Sequence, residues 1–392
     1  MITRTKYLVP LRASMGTPLI KVITGMRRVG KSTLLLQLRE SLIQEGVMDT
    51  HIFFIDREDY RFDYISDADI LYREVELFFA QKWGKKYLFI DEIQDIKGWE
   101  KIIRHYGKLA DYEVCITGSN SHLLSGELGT YLSGRYIEFT VYPLSYSEFL
   151  VFKPAGTFRE FMEFGWLPGV ALLPDALRSS YIDWVLNTVL IRDIIERYQI
   201  RNGVLLSDIL RYLASNIGYP TSTNKIAQYL KNERISLAFE TVREYIGYFR
   251  GSFFLASPIW IDILGKKHLD LHGKYYFTDI GLRNSLVWYR DEYIGQVLEN
   301  IVYNELIIRG YAVMVGSIGN AEVDFVATRK GEKIYIQVTY LLSSPETVER
   351  EFVPLEKIPD NYPKFVLSLD TDWGAGRGGI ERISIEQWLL EK

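Results

Sequence analysis

The stretch Gly25-Met26-Arg27-Arg28-Val29-Gly30-Lys31-Ser32 decides the fold of the first part of this 392-residue chain. It matches the pattern G-x-x-x-x-G-K-[ST] at every fixed position. Leu19 to Thr24, just before it, is a short apolar and β-branched run that predicts a buried strand. Ser32 to Ser41, just after it, has the apolar spacing of a helix. A strand, a glycine-bounded loop and a helix in this order predict a phosphate-binding loop.

The chemistry of this loop predicts a site for ATP and Mg²⁺. Glycines let the backbone curl so that several N–H groups point at phosphate oxygens, and the following helix adds its positive end. Lys31 is expected to reach the outer phosphates, and the Ser32 hydroxyl to bind Mg²⁺. The predicted nucleotide-binding residues are Gly25, Met26, Arg27, Arg28, Val29, Gly30, Lys31, Ser32 and Thr33.

Tyr87 to Glu92 is an apolar run that ends in two carboxylates. Alone, such a run would be an ordinary strand end, but here it follows an intact phosphate-binding loop. Asp91 is therefore expected to orient the Mg²⁺ shell, and Glu92 to polarise an attacking water. Together with the loop, this run predicts ATP hydrolysis with Glu92 and Lys31 as catalytic residues.

Further strands are predicted at His51 to Asp56, Glu113 to Thr117 and Tyr136 to Val141, with helical patterns between several of them. Strands that alternate with helices indicate an α/β fold with a mainly parallel sheet. Ligands in such sheets bind beyond the carboxyl ends of the strands, where the loop and the carboxylate pair both lie.

Several polar residues near this edge are weaker candidates. Ser119 or Asn120, at the tip of a predicted strand, is a candidate sensor of the terminal phosphate, with a plain turn as the alternative. Arg135 is a candidate catalytic arginine supplied to a neighbouring subunit, with a surface arginine as the alternative. Arg27 and Arg28 either add positive potential to the loop or face solvent.

Four segments carry a family resemblance: GMRRVGKSTLLLQL, FIDEIQ, ITGSNS and SGRYIEFTVYPLSYSEF. They resemble the AAA+ ATPase domain of a large family of prokaryotic ATP-binding proteins, and the resemblance extends over nearly the whole chain. It implies an AAA+ P-loop core at residues 1–142 and a helical lid at 143–203. It also implies that Ser119 or Asn120 is the sensor, that Arg135 acts between subunits, and that the chain forms a ring-like or other homo-oligomer.

Residues 204–288 have the layout of a winged helix, three helices followed by a β-hairpin. The helices are predicted at Leu206 to Asn216, Asn224 to Lys231 (capped by Thr223) and Leu237 to Arg250 (capped by Ser236), and the strands at Phe254 to Ile261 and Lys274 to Phe277. Residues 205–285 hold ten Lys/Arg and seven Asp/Glu, a net charge of +3 against −4 for the whole chain. Candidate contacts to DNA phosphates are Lys225, Lys231, Arg234, Arg243, Lys266 and Lys267. The alternative is that this segment only joins domains or contacts protein.

Residues 289–392 resemble the PD-(D/E)XK nuclease superfamily, a restriction-endonuclease-like fold, in element order and in the positions of Glu299, Asp324, Gln337 and Thr339. Such sites need clustered carboxylates to hold Mg²⁺ and a lysine to stabilise developing charge. Gln337 stands where a carboxylate is expected, and Thr339 where the lysine is expected. Glutamine binds a hard cation more weakly, and threonine carries no charge. Glu299 and Glu322 can compensate in part, but we expect a vestigial nuclease site, with its lysine position empty, that serves binding or assembly.

The composition is that of an ordinary globular protein, with 47% hydrophobic and 24% charged residues. The net charge of −4 provides no overall basic field for nucleic acid, so a DNA-binding face has to be local. Cys115 is the single cysteine, which excludes an intramolecular disulfide and a cysteine zinc site. The N-terminus lacks a signal-peptide pattern, and no apolar run reaches the length of a membrane helix. We therefore expect a cytoplasmic protein without membrane partners.

Four functions are compatible with these patterns. The leading one is a multimeric AAA+ protein that binds and hydrolyses ATP and acts on or with DNA. The alternatives are a nucleotide-gated DNA-binding regulator with slow turnover, an ATP-dependent nuclease, and a purely protein-remodelling ATPase.

Overall fold

A computed structural model describes residues 2–120, 134–232, 235, 238–269, 273–370 and 376–391. Within these residues the chain divides into two compact units. The first contains the residues up to Tyr142 together with 251–253, and the second contains the rest. In the part of the chain so described, no helix combines the length and the apolar character needed to cross a membrane.

The first unit is built on a five-stranded parallel sheet. Its strands are β1 (Ile20–Thr24), β2 (Ile52–Asp56), β3 (Lys86–Asp91), β4 (Tyr112–Gly118) and β5 (Tyr136–Thr140). Their spatial order is β2-β3-β4-β1-β5. Each lies within one residue of its predicted bounds, so the predicted α/β fold with a parallel sheet is confirmed for this unit.

Helices connect these strands and cover the sheet. They are α1 (Thr5–Ala13), α2 (Lys31–Gln44), α3 (Ala68–Phe79) and α4 (Trp99–Tyr106), with short 3₁₀ turns at Asp49–His51, Tyr60–Phe62 and Ile93–Asp95. The start of α3 is fixed by the Asp67 side chain, which accepts hydrogen bonds from the Asp69 and Ile70 N–H groups. Apolar side chains of α3 and α4, such as Val75 and Ile103, are buried in one cluster with those of β3 and β4. Burial on both faces explains why the strand sequences are nearly continuous apolar runs.

The second unit begins with a helical region. Its helices are α5 (Tyr146–Phe152), α6 (Phe158–Phe164), α7 (Pro168–Leu172), α8 (Asp175–Thr188), a π-helix (Val189–Glu196), α9 (Gly203–Ser215), α10 (Thr223–Asn232), α11 (Phe239–Gly251) and α12 (Ile280–Val287). Reciprocal hydrogen bonds between Ser145 and Glu148, and between Thr157 and Glu160, cap α5 and α6. The expectation that Thr223 caps its helix is wrong, because the Ser222 hydroxyl accepts from the Lys225 N–H. Ser236 lies outside the described residues.

A mixed seven-stranded sheet forms the rest of the second unit. Its strands are β7 (Ile259–Asp262), β8 (Lys267–Leu269), β10 (Ala312–Ile318), β11 (Ala321–Arg329), β12 (Glu332–Val338), β13 (Lys364–Ser368) and β14 (Glu381–Ser384), in the order β14-β13-β12-β11-β10-β7-β8. The accompanying helices are α13 (Ile294–Ile308), α14 (Pro345–Glu356) and α15 (Ile385–Leu390), with a 3₁₀ turn at Asp291–Tyr293. Two short strands, β6 (Leu255–Ala256) and β9 (Tyr276–Phe277), pair separately.

The predicted hairpin of Phe254 to Ile261 with Lys274 to Phe277 is confirmed only in part. Only the short strands β6 and β9 pair there, in antiparallel fashion. The intervening chain forms the hairpin β7-β8, and β7 pairs in parallel with β10 of the seven-stranded sheet. The apolar run from 254 to 261 is broken at Ser257-Pro258, and proline cannot donate to a strand ladder. The expected boundary at residue 288 remains a prediction, although β7 and β8 precede it and join the later strands.

Candidate functional site

The loop between β1 and α2 has the backbone geometry that the sequence pattern predicts. Gly25 has a φ of 139°, and a side chain at this position would collide with the backbone carbonyl of Val141. Val141 continues from β5, and its N–H donates to the Thr24 carbonyl at 2.8 Å. Gly30 has a φ of 99° and directly precedes α2. The loop therefore lies at the carboxyl end of β1, with the N-terminus of α2 behind it.

Lys31 and Glu92 face each other inside this loop. Lys31 Nζ lies 3.4 Å from Glu92 Oε1 and donates to the Met26 carbonyl at 3.1 Å. Both residues are buried, with 3% of Lys31 and 5% of Glu92 exposed. Gln94 also donates a hydrogen bond to the Glu92 carboxylate. A buried pair of opposite charges at a phosphate-binding loop places a cation and a hydrogen-bond acceptor where the end of a triphosphate would lie.

Thr117 connects the two carboxylates that end β3. Its hydroxyl donates to Asp91 Oδ1 at 2.5 Å and accepts from the Glu92 N–H at 2.9 Å. The Ser32 side chain, at the start of α2, also forms a hydrogen bond with the Asp91 side chain. Asp91, Glu92, Thr117 and Ser32 thus come from three neighbouring segments, β3, β4 and the start of α2.

Burial and neighbouring charges shift the pKa values of Asp91 and Glu92 in opposite directions. Burial raises the pKa of Asp91 to about 6, with a contribution from the charge of Glu92, although hydrogen bonds from Ser32 and Thr117 oppose this. Burial also opposes ionisation of Glu92, but the charges of Lys31 and Arg27 bring its pKa down to about 2. Glu92 is therefore an anion at neutral pH, and a cation beside Asp91 would favour its ionised form.

The residues present fit a Mg²⁺ ion with a bound nucleotide. The Ser32 hydroxyl and the Asp91 carboxylate offer the oxygen ligands that Mg²⁺ prefers. The Ser119 hydroxyl, at the end of β4, is fully buried and has no hydrogen-bond partner among the described residues. Buried hydroxyls are rarely left without a partner, so this hydroxyl is available to a ligand oxygen.

The two sensor candidates differ in their surroundings. Ser119 is completely buried, whereas Asn120, the next residue, is half-buried. Residues 121–133, which include Ser121 and Leu132-Ser133, lie outside the described residues. Burial and the unsatisfied hydroxyl favour Ser119 over Asn120 as the residue that faces the terminal phosphate.

The two loop arginines are not equivalent. Arg27 is 9% exposed, lies 3.6 Å from Glu58 and lowers the pKa of Glu92 through its charge. Arg28 is exposed and has a φ of 69°. Of the alternatives left open by the sequence, positive potential within the site is therefore favoured for Arg27 and a solvent-facing position for Arg28. Thr33 is exposed on the first turn of α2.

Arg135 lies at the other end of the sheet from the phosphate-binding loop. Its carbonyl accepts from the Ile20 N–H at 2.9 Å, where β1 and β5 begin. A five-residue strand spans about 13 Å, and the loop follows the far end of β1. The side chain is exposed. Arg135 is therefore not part of the site in its own chain, and a role at the site of a second subunit remains a prediction.

The candidate DNA contacts are surface residues on several elements. Lys225 and Lys231 lie on α10, Arg243 on α11, and Lys266 and Lys267 at the β7-β8 hairpin. All five are exposed, and Arg234 lies outside the described residues. Exposure is compatible with DNA contact but is equally expected of ordinary surface lysines.

The residues proposed for a vestigial nuclease site lie together in the second unit, but with a lysine that the sequence pattern did not indicate. Glu299 on α13 and Glu322 and Asp324 on β11 bring carboxylate oxygens within 4.8 Å of one another. Lys274, just before β9, lies 2.5 Å from Glu299 Oε1 and 3.6 Å from Asp324 Oδ1 and also contacts Glu322. A lysine from a distant segment thus reaches the carboxylates, while the expected lysine position itself holds Thr339.

The Gln337 side chain is engaged by hydrogen bonds to neighbouring elements, and the Thr339 backbone continues the pairing with the next strand. Gln337 Oε1 accepts from the Asp324 N–H at 2.7 Å, and its Nε2 donates to Glu351 at 3.2 Å. The Thr339 N–H donates to the Leu367 carbonyl at 2.9 Å. Both residues are buried. The Gln337 amide thus connects two strands with α14, a role that explains a glutamine without a metal.

Three residues of these sites were missed by sequence reasoning. Thr117 ends a predicted strand, and a hydroxyl at the tip of the strand beside β3 was the available signal. Gln94 lies two residues after Glu92, too close in sequence for a pattern to reveal that its side chain turns back. Lys274 carries no local signal, because it lies 25 residues from Glu299 and 48 from Glu322.

Comparison with known proteins places these observations in a family. Residues 17–150 match the family described as "AAA domain", and residues 155–292 match a "Domain of unknown function (DUF8612)". The Walker-type ATPase of Pyrococcus abyssi has a similar fold, with a TM-score of 0.51 and 16% identity over 73% of this chain and 96% of that chain.

Two relatives are similar along most of their length. An uncharacterized protein of Haemophilus influenzae is 34% identical over all of this chain and 99% of its own length. An uncharacterized protein of Methanocaldococcus jannaschii is 30% identical over 86% of this chain and 78% of its own length. This chain, which carries an AAA domain with a P-loop fold, belongs to the same family as these two proteins.

Proposed function

We propose that the chain is an ATPase whose site is the loop Gly25 to Ser32 together with Asp91 and Glu92. The observation that carries the proposal is the buried arrangement of Lys31 and Glu92, 3.4 Å apart at the carboxyl edge of a parallel sheet. The match of residues 17–150 to the AAA domain supports it.

Each residue has a defined part in the proposed reaction. Backbone N–H groups of the loop and the Lys31 ammonium hold the phosphates, because both are donors directed at oxygen. Ser32 and Asp91 would hold Mg²⁺, which when bound neutralises phosphate charge. Glu92, an anion held in place by the Thr117 hydroxyl on its N–H group, accepts a hydrogen bond from the attacking water and orients it. Ser119 donates its buried hydroxyl to the terminal phosphate.

Steady-state phosphate release tests this proposal. Purified wild-type chain should hydrolyse ATP, and Lys31→Ala should lower kcat by about 100-fold or more, since one electrostatic contact to the transition state contributes a factor of that order. Lys108→Ala is the matched control, because Lys108 is an exposed lysine in the turn before β4, at the opposite edge of the sheet. Equal loss in both variants, or none in Lys31→Ala, would contradict the assigned site.

We also propose that the chain works as a homo-oligomer in which Arg135 completes the site of a neighbour. The exposed position of Arg135, away from its own site, supports this assignment. Mixing an Arg135→Ala chain with a Lys31→Ala chain should restore turnover, since each supplies what the other lacks. Mixtures that stay as inactive as the separate variants would argue against shared sites.

A further proposal is that residues 204–288 form a winged helix that contacts DNA, and that 289–392 have a nuclease-like fold without cleavage activity. The local net charge of +3 and the exposure of Lys225, Lys231 and Arg243 support DNA contact. Affinity for a fluorescent duplex should fall steeply as salt is raised, because phosphate contacts release counterions. Absence of salt-sensitive binding would favour the alternative, a role in protein contacts or remodelling.

A further inference from the structure

The carboxylate cluster of Glu299, Glu322 and Asp324 is arranged like the ligands of a cation. One oxygen from each residue lies within 4.8 Å of the others, a spacing that oxygen ligands of a hard metal ion adopt. Glu299 and Asp324 are mostly buried, with side-chain exposures of 13% and 14%, whereas 32% of the Glu322 side chain is exposed. Three carboxylates in such a place need a positive charge beside them.

Lys274 supplies that charge from within the chain. Its Nζ contacts an oxygen of each of the three carboxylates, and its side chain is 2% exposed. Tyr276 OH also donates to Glu299 Oε1, the oxygen that Lys274 contacts at 2.5 Å. The ammonium thus lies where a metal ion would have to be placed in order to touch the same oxygens.

The backbone around Lys274 is held on both sides, so the side chain has little freedom to withdraw. The Thr221 N–H donates to the Gly273 carbonyl at 2.8 Å, and the Gly218 N–H to the Tyr275 carbonyl at 3.3 Å. Asn300, one position after Glu299 on α13, bonds both the N–H and the carbonyl of Phe277 at 2.8 Å.

Close packing of the backbone at Gly218 also leaves little free space beside the Glu299 carboxylate. A Cβ atom at Gly218 would lie 2.9 Å from Glu299 Oε2, so this backbone passes directly against the carboxylate. Two cations sharing the same oxygens would repel each other strongly in so enclosed a place. An ammonium and a divalent metal ion therefore compete for these oxygens.

We propose that the ammonium of Lys274 is the resident cation of the Glu299–Glu322–Asp324 cluster, and that the cluster takes up a divalent metal ion only when Lys274 is removed. The cluster is then an internal ion-pair site that fixes α13, β9 and β11 relative to one another. It also lacks the metal that strand cleavage at such carboxylates would require. This inference does not depend on the proposed ATPase activity.

Manganese binding to the nucleotide-free full chain, measured by the loss of the free Mn²⁺ electron paramagnetic resonance signal, tests the proposal. In wild type, any Mn²⁺ uptake should be unaffected by Asp324→Asn, whereas uptake at the nucleotide site should respond to Asp91→Asn. Uptake by wild type that Asp324→Asn abolishes would overturn the proposal. So would Mn²⁺-dependent cleavage of plasmid DNA by wild type that the same substitution abolishes.

The decisive variant is Lys274→Met, which keeps an aliphatic side chain and removes the charge. It should bind one more Mn²⁺ per chain than wild type, and Lys274→Met/Asp324→Asn should lose that ion. The unfolding midpoint of Lys274→Met should rise with Mn²⁺, because an ion that binds the folded state stabilises it. Lys267→Met, at an exposed lysine on β8, is the control and should gain no ion.

A folded Lys274→Met chain that gains no Mn²⁺ would refute the proposal, as would an equal gain in Lys267→Met. If Lys274→Met folds only when Mn²⁺ is present, as circular dichroism would detect, the result supports it. If Lys274→Met folds neither with nor without Mn²⁺, the test is the comparison of Mn²⁺ uptake by wild type and by Asp324→Asn. A loss of uptake in Asp324→Asn would refute the proposal, and equal uptake would support it.

Discussion

The geometry of the Asp91 and Glu92 carboxylates depends on one hydroxyl group, that of Thr117. Its Oγ donates to Asp91 and accepts from the Glu92 N–H, so it fixes the residue that would hold Mg²⁺ and the residue that would orient water. Glu92 has a φ of 49°, a left-handed conformation that is unfavourable for residues other than glycine. The hydroxyl stabilises this conformation by satisfying the N–H group that it exposes.

Replacing Thr117 by valine keeps the shape and removes the hydroxyl. The buried Glu92 N–H then lacks a partner, which should cost roughly 1–3 kcal/mol of unfolding free energy. ATP turnover should fall more than ATP affinity, because the loop itself is unchanged. Urea unfolding and steady-state kinetics measure both effects, and Thr117→Ser, which retains the hydroxyl, should recover most of each. Equal behaviour of the valine and serine variants would show that the hydroxyl has no such role.

At the scale of elements, the order of the strands determines the shape of the phosphate-binding loop. Because β1 lies between β4 and β5, the chain leaving β1 passes directly beside the chain leaving β5. Gly25 lies against the backbone of Val141 at this point, where there is no space for a side chain. The requirement for glycine thus comes from the neighbouring strand as well as from the curl of the loop.

Gly25→Ala should therefore disrupt nucleotide binding. The added methyl group must displace either the loop or the backbone of Val141, and neither is the free end of a side chain. Gly46→Ala is a matched control, since Gly46 also has a positive φ, of 97°, but a side chain there meets nothing within 4 Å. Both variants carry backbone strain, of order 1–3 kcal/mol. Only Gly25→Ala should lose affinity for a fluorescent ATP analogue by about tenfold or more; similar losses in both would contradict the steric explanation.

Sequence patterns predicted some elements much better than others, for physical reasons. The buried parallel strands of the first unit are continuous apolar runs bounded by turns, and each was located to within one residue. The parallel pairing of β7 with β10 was not predicted, because it joins residues such as Ile259 and Met314, which are far apart in the sequence, and leaves no local trace. Lys274 was missed for the same reason: it meets Glu299 and Glu322 only through tertiary packing.

At the scale of the whole molecule, the two sites belong to different units. The described residues proposed for the nucleotide site lie in the first unit, and those of the carboxylate cluster lie in the second. Variants at one site should therefore leave the local chemistry of the other intact, which makes the two proposals separately testable. The two relatives are described as uncharacterized proteins, so evidence for hydrolysis has to come from this site itself.

The most direct measurement is ATP binding and turnover by the Glu92→Gln chain beside wild type. Glutamine keeps the size of the side chain but cannot act as an anionic acceptor for water, and a general base contributes about 10²–10⁴-fold to such reactions. We expect Glu92→Gln to bind ATP at least as tightly as wild type, because Lys31 loses its competing anion, and to hydrolyse it at least about 100-fold more slowly. Undiminished hydrolysis by Glu92→Gln, or no hydrolysis by wild type, would contradict an ATPase site at this loop.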